Sequence, residues 1–135
     1  MPIMEWSSDL DVGVERMNDE HKDILDLMNR ISDAAENGQS GPPVIALVDQ
    51  LAQVTIDHFR DEEAFMASIN YEGLTTHKLI HQDLLKKYGE FADLIRADNG
   101  QLPHKFLMFL KLWLTAHIKG IDMKYSPKTP LRLAG

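Results

Sequence analysis

Apolar residues recur every three or four positions along most of the chain, with polar and charged residues between them. This spacing matches the period of about 3.6 residues of an amphipathic α-helix, whereas the strict alternation typical of a β-strand is scarce. Prolines, glycines and capping residues divide the pattern into four predicted helices. We place them at about residues 18–37, 42–70, 72–97 and 103–120.

The bounds of these helices rest on local signals. Asn18 or Asp19 is a candidate N-cap for the first helix, and Asn37-Gly38 is a typical helix end. The run at 98–100, Asp-Asn-Gly, is a second stop signal, and Pro103 suits the first turn of the fourth helix. The connections between the helices are therefore only a few residues long.

Short connections place consecutive helices antiparallel, so the predicted fold is all-α, an up-down-up-down four-helix bundle with an N-terminal arm. Residues 1–17 are expected to form the arm and to pack on the bundle, which spans residues 18–125. Residues 126–135 are expected to form a weakly structured C-terminal tail. A length of 135 residues without an internal repeat fits one domain.

Composition narrows the class of protein. A net charge of -7 without a cluster of basic residues argues against nucleic acid as a partner. The apolar stretches are too interrupted to insert into a membrane, and the first residues do not have the pattern of a leader, so we expect a cytoplasmic protein. The chain has no cysteine, and a bound metal would therefore need nitrogen and oxygen ligands.

Five histidines interrupt the apolar stripes that face the predicted core. A buried imidazole must satisfy its polar nitrogens, and five unpaired rings would cost several kcal/mol in total. Convergence on a metal explains all five at once, and two nearby carboxylates complete a candidate set of ligands for two ions. The candidate ligands are His21, His58, Glu62, His77, His81, His117 and Asp122.

The spacing of these residues supports a shared site. His58 and Glu62 are four residues apart, as are His77 and His81, so each pair lies on one helix face. His117 and Asp122 are five apart, which on a continuous helix would separate them by about 140°. We therefore expect the fourth helix to unwind between these two residues, near Gly120.

Taken singly, these residues have ordinary explanations: a chance pair of histidines, a helix-surface hydrogen bond between His58 and Glu62, an exposed His21, or a core His117 bonded to a carbonyl. A structural zinc site is another alternative, but zinc normally takes four ligands and seven are offered here. Among the neighbouring residues, Glu63 is interpreted as a solvated charge, and Tyr125 as an anchor for the tail or a support for Asp122.

The candidate ligands lie in motifs that resemble those of hemerythrins: His21, HFRDE at 58–62, HKLIH at 77–81 and HIKGID at 117–122. The flanking sequence, from about Trp6 to Tyr125, is similar to the single-domain bacterial members called bacteriohemerythrins. The resemblance implies two non-haem iron ions with an oxo or hydroxo bridge. One iron would take His77, His81 and His117, the other His21 and His58, and Glu62 and Asp122 would bridge them.

The resemblance also implies a function, reversible dioxygen binding for transport, storage or delivery, with oxygen held as hydroperoxide at the open position of the two-histidine iron. An apolar pocket is expected beside that position. The residues that match the family's pocket are Ile24, Phe59, Trp113, Leu114 and Ile118.

Such a protein would not be an enzyme, because an imidazole-rich site in an apolar pocket lacks a proton donor to cleave the O–O bond. The alternatives are an oxygen, redox or nitric oxide sensor that acts through a separate partner, and a di-iron peroxidase or oxidase.

Overall fold

The computed structural model describes residues 5–126, and within this range the chain forms four α-helices and no β-strand. Short 3-10 turns precede the first helix and follow the last. The all-α prediction and the four-helix bundle are confirmed. The helices are α1 (Glu15–Glu36), α2 (Pro42–Ser68), α3 (Leu74–Ala97) and α4 (His104–Gly120), and the turns are Ser8–Leu10 and Asp122–Tyr125.

The start of α1 differs from the sequence prediction. The helix begins at Glu15, with Val14 as its N-cap, so neither Asn18 nor Asp19 caps it and the expected boundary of the arm falls inside the helix. The Asn18 side chain is used instead to hold the preceding segment. It accepts a hydrogen bond from the Val12 N–H at 3.0 Å and donates one to Asp11 Oδ1 at 2.8 Å.

The segment before α1 packs against the bundle through its apolar residues. Leu10 and Val12 are buried in the hydrophobic core, and Trp6 and Val14 pack against that core while remaining partly exposed. At the other end of the chain, Ser126 is the last described residue. The remainder of the predicted tail lies outside the described residues.

The predicted helix stops are confirmed at the end of the bundle where α1 and α3 finish. Gly38 and Gly100 have positive φ angles of 67° and 81°, which reverse the chain after each helix. The two loops touch, since the Gly41 N–H donates a hydrogen bond to the carbonyl oxygen of Asn99 at 2.7 Å. None of the helices within residues 5–126 combines the length and apolar character needed to cross a membrane.

Candidate metal centre

The seven candidate ligands meet at the opposite end of the bundle, where α1 and α3 begin and α2 and α4 end. Each of them is at most 6% exposed. The convergence follows from the antiparallel arrangement, because the first two turns of α1 and α3 lie level with the last three turns of α2 and the last turn of α4. α1 supplies His21, α2 supplies His58 and Glu62, α3 supplies His77 and His81, α4 supplies His117, and the turn after α4 supplies Asp122.

The ligand atoms form two overlapping groups. In each group the candidate atoms lie within 4.8 Å of one another, and Glu62 and Asp122 are common to both. One group contains three histidines and the other contains two. The groups are Glu62, His77, His81, His117 and Asp122, and His21, His58, Glu62 and Asp122.

Glu62 directs one oxygen at each group. Its Oε1 lies 2.9 Å from His81 Nε2 and 3.1 Å from His77 Nε2, on the three-histidine side. Its Oε2 lies 3.4 Å from His58 Nε2 and 3.7 Å from His21 Nε2, on the two-histidine side. This is the orientation that a carboxylate needs to bridge two cations.

Asp122 has the same arrangement. Its Oδ1 lies 3.0 Å from both His77 Nε2 and His117 Nε2, and its Oδ2 lies 3.1 Å from His21 Nε2. The two carboxylates therefore cross the site side by side, each with one oxygen towards the three-histidine group and the other towards the two-histidine group.

Hydrogen bonding does not account for this convergence. Among the buried side-chain atoms within residues 5–126, several of the converging ones lack a hydrogen-bond partner despite their short separations. Buried polar atoms without a hydrogen-bond partner cost free energy of folding, which a bound cation would offset. A set of nitrogen and oxygen donors without a thiolate suits a borderline transition metal such as iron. The unpartnered ligand atoms include Nε2 of His21, His58 and His81, Oε1 of Glu62, and both oxygens of Asp122.

The electrostatics of the site also favour cations. Burial opposes ionisation of Glu62, but the surrounding imidazoles hold its pKa well below the ordinary value. Burial lowers the pKa of His58, yet hydrogen bonding to Glu20 and contact with Glu62 raise it more, to about 10. In the same way Asp122 and Glu62 outweigh burial and raise the pKa of His77 to about 9. The two buried carboxylates thus create a strongly negative potential at the centre.

Two further carboxylates orient the histidines, and neither role was anticipated from the sequence. His58 Nδ1 donates to Glu20 Oε1 at 2.7 Å, and His81 Nδ1 donates to Glu63 Oε2 at 2.8 Å. Each contact fixes the ring so that Nε2 faces the centre. The interpretation of Glu63 as a solvated charge is wrong, because α2 turns this side chain towards α3.

Tyr125 supports the site from the turn that follows α4. Its hydroxyl donates a hydrogen bond to Glu62 Oε2 at 2.7 Å, and the side chain is fully buried. The sequence predicts this tyrosine as an anchor for the tail or a support for Asp122, and it does not predict the hydrogen bond to Glu62.

Asp122 reaches the centre because α4 ends at Gly120. Ile121 caps the helix and a 3-10 turn begins at Asp122, so the predicted unwinding after His117 is confirmed. Glycine is not needed for it, since Gly120 is absent from the residues with positive φ and a Cβ there would meet no atom within 4 Å.

We therefore expect Gly120→Ala to leave iron content unchanged and to keep or raise the free energy of unfolding, by at most about 1 kcal/mol. Chemical denaturation and metal analysis of the variant would measure both quantities. A loss of more than about 1 kcal/mol would show that this position needs glycine after all.

The five predicted pocket residues are all buried. Phe59 stacks on the ring of His81, with centroids 3.7 Å apart and planes 5° from parallel, and it meets Trp113 edge-on at 6.1 Å. Ile24, Leu114 and Ile118 do not line the apolar crevice beside these aromatic rings. This crevice has no space for a water molecule. The residues that line it are Thr55, Phe59, Leu84, Leu85, Tyr88, Phe109 and Trp113.

Comparison with known proteins gives a family match and several similar proteins. Residues 12–129 match the family described as the Hemerythrin HHE cation binding domain. A myohemerythrin of Riftia pachyptila is 37% identical over 120 residues, which cover 89% of this chain and 88% of that protein. A bacteriohemerythrin of Stenotrophomonas maltophilia is 25% identical over 134 residues, covering 98% and 86%. A crystal structure of a hemerythrin point mutant superposes with a TM-score of 0.84 at 25% identity, covering 94% and 97%.

Proposed function

The chain belongs to the hemerythrin family, and from this premise we propose that it binds dioxygen reversibly at a di-iron centre, as a carrier, storage or delivery protein. The observation that carries the proposal is the placement of Glu62 and Asp122. Each carboxylate directs one oxygen at the three-histidine group and the other oxygen at the two-histidine group. Two cations held in these groups would share both carboxylates.

In this proposal the three-histidine group would hold one iron and the two-histidine group the other, with an oxo or hydroxo bridge between them. The two-histidine iron would then have one ligand fewer, and dioxygen would bind at its open position as hydroperoxide. The residues of the first group are His77, His81 and His117, and those of the second are His21 and His58, with Glu62 and Asp122 as bridges.

The surroundings of the centre favour binding over catalysis. The crevice next to the aromatic rings is lined by apolar residues together with Thr55 and Tyr88, without a carboxyl or ammonium group, and the Tyr88 hydroxyl already donates a hydrogen bond to the Val48 carbonyl oxygen at 2.6 Å. Burial raises the pKa of Tyr125, as do Glu62 and Asp122, so its hydroxyl keeps its proton. A peroxidase or oxidase would need a general acid to cleave the O–O bond, and these neighbours do not supply one.

An anaerobic-to-aerobic optical titration with iron quantified tests the function directly. We expect about two irons per chain, a nearly colourless reduced protein, a pink colour when oxygen is added, and bleaching under vacuum. Irreversible oxidation within seconds would contradict reversible binding. Steady consumption of peroxide in the presence of a reductant would favour the enzyme alternative.

The carboxylates behind the histidines should tune the affinity for iron. Glu63→Ala removes the partner of His81 Nδ1, and we expect it to weaken ferrous iron binding by about 10- to 100-fold, because the ring loses its fixed orientation. Competition with a chelator would measure this change. Glu90→Ala, at an exposed position of α3, is the matched control and should bind iron like the unmodified protein.

A further inference from the structure

The charge of α4 differs from that of the other helices. Its 17 residues include three lysines but no aspartate or glutamate. α1, by contrast, has seven carboxylates and three basic residues, α2 has five carboxylates and one basic residue, and α3 has three carboxylates and four basic residues. In a chain of net charge -7, α4 is therefore a cationic surface on an acidic protein.

The lysines share one side of α4 with exposed apolar residues. We call this surface the α4 face, and it consists of Lys105, Met108, Lys111, Leu112, Ala116 and Lys119. Leu112 is 62% exposed and Met108 is 42% exposed, which places an apolar centre between the charges. Within residues 5–126 the three lysines have no carboxylate close enough for an ion pair, so their charge is available to a partner.

The α4 face lies one helix thickness from the metal centre, and a helix with its side chains is about 10–12 Å across. The inward side of the same helix carries His117 and Trp113. Trp113 meets Phe59 at 6.1 Å between ring centroids, and Phe59 stacks on His81 at 3.7 Å. A continuous path of aromatic rings thus runs from behind the surface to a candidate ligand.

We propose that the α4 face is the docking site for an acidic one-electron carrier protein, of the flavodoxin or ferredoxin class, which returns an oxidised centre to its diferrous form. The inference rests on the proposed function, because only the diferrous form binds dioxygen. Two reduced carriers would each give up one electron, two ferric ions would become ferrous, and a bridging oxide would take one proton from water to become hydroxide, with the water leaving as a second hydroxide.

The size and charge of the face favour this partner over two others. A stable interface takes roughly 800 Å² and about 20–30 residues from each partner, whereas the α4 face has six residues on one helix, and small interfaces are typical of transient electron transfer. Lysines around an apolar centre steer an acidic protein into place. An anionic lipid surface would be opposed by the net charge of -7 on the whole chain.

The test compares two double variants with the same change in charge. Lys111→Glu/Lys119→Glu alters the α4 face, and Lys86→Glu/Lys87→Glu alters exposed positions of α3. The readout is the rate constant for reduction of the oxidised, iron-loaded protein by a reduced flavodoxin of strongly negative charge. At low ionic strength we expect the first variant to be slower by about tenfold or more and the second to stay within about twofold. Reduction by dithionite should be the same in all three proteins.

A second readout does not depend on electron transfer. Carbodiimide cross-linking to oxidised flavodoxin, followed by mass spectrometry, should place the links at Lys105, Lys111 and Lys119. Equal reduction rates in both variants, or links spread over all exposed lysines, would overturn the proposal. The proposal would also be overturned if the unmodified protein self-associated, or sedimented with phosphatidylserine vesicles, and Lys111→Glu/Lys119→Glu abolished that behaviour. The optical titration uses no carrier protein, so it tests oxygen binding whatever the outcome for docking. Failure of docking and failure of oxygen binding are therefore distinguishable.

Discussion

Glu62→Gln is expected to reduce the iron content from about two ions per chain to one or fewer and to abolish the oxygen-dependent absorbance. Glu62 is fully buried and contributes an oxygen to each histidine group. A glutamine of the same size retains one acceptor oxygen, but its amide nitrogen is a donor and turns towards one of the two groups. That group loses a charged ligand, and it gains N–H hydrogens that oppose a cation.

Metal analysis and optical titration of the reduced variant would measure this effect, with circular dichroism to show that the bundle is folded. Glu63→Gln is the matched control, because it makes the same chemical change at the next residue, which contacts His81 from behind. We expect the control to retain two irons with a weaker affinity. A Glu62→Gln protein that held two irons and bound oxygen reversibly would contradict the bridging role.

The fold was largely predictable because most of its signals are local. The apolar period gave the helices, and stops such as Asn37-Gly38 work through backbone conformation, which depends little on distant residues. The predicted start of α1 was wrong because it depends on contacts that are not local signals. Asn18 has the side chain of a typical N-cap, but its hydrogen bonds go to Val12 and Asp11, and only the packed structure shows that use.

The candidate ligands were predictable because each histidine is a polar residue in an apolar stripe, which makes burial visible in the sequence. Glu20 and Glu63 gave no such signal. Both residues lie inside a helix, beside its buried stripe. At such a position, a carboxylate that faces solvent and one that faces an imidazole of the neighbouring helix have the same sequence pattern. Their contacts with His58 and His81 depend on the rotation and spacing of whole helices. The one available clue is that each is adjacent in sequence to a candidate ligand.

Gly100→Ala is expected to lower the free energy of unfolding by about 2–4 kcal/mol, through strain at the end of the bundle remote from the metal centre. Gly100 has a φ of 81°, which an alanine adopts only at a cost. A Cβ at this position would also lie 2.5 Å from the nitrogen and 2.6 Å from the oxygen of Gly41. Those are backbone atoms, and they cannot move away without breaking the hydrogen bond from the Gly41 N–H to Asn99.

Urea denaturation of the metal-free protein would measure the loss without a contribution from bound iron. Gly89→Ala is the matched control, since Gly89 lies inside α3 and a Cβ there would meet no atom within 4 Å. The control should gain up to about 1 kcal/mol from the better helix propensity of alanine. If Gly100→Ala unfolded within about 1 kcal/mol of the unmodified protein, the contact between the two loops would not constrain the bundle. The same substitution is thus expected to lower the free energy of unfolding at Gly100 and to raise it at Gly89. This difference in sign distinguishes backbone strain and steric overlap from helix propensity.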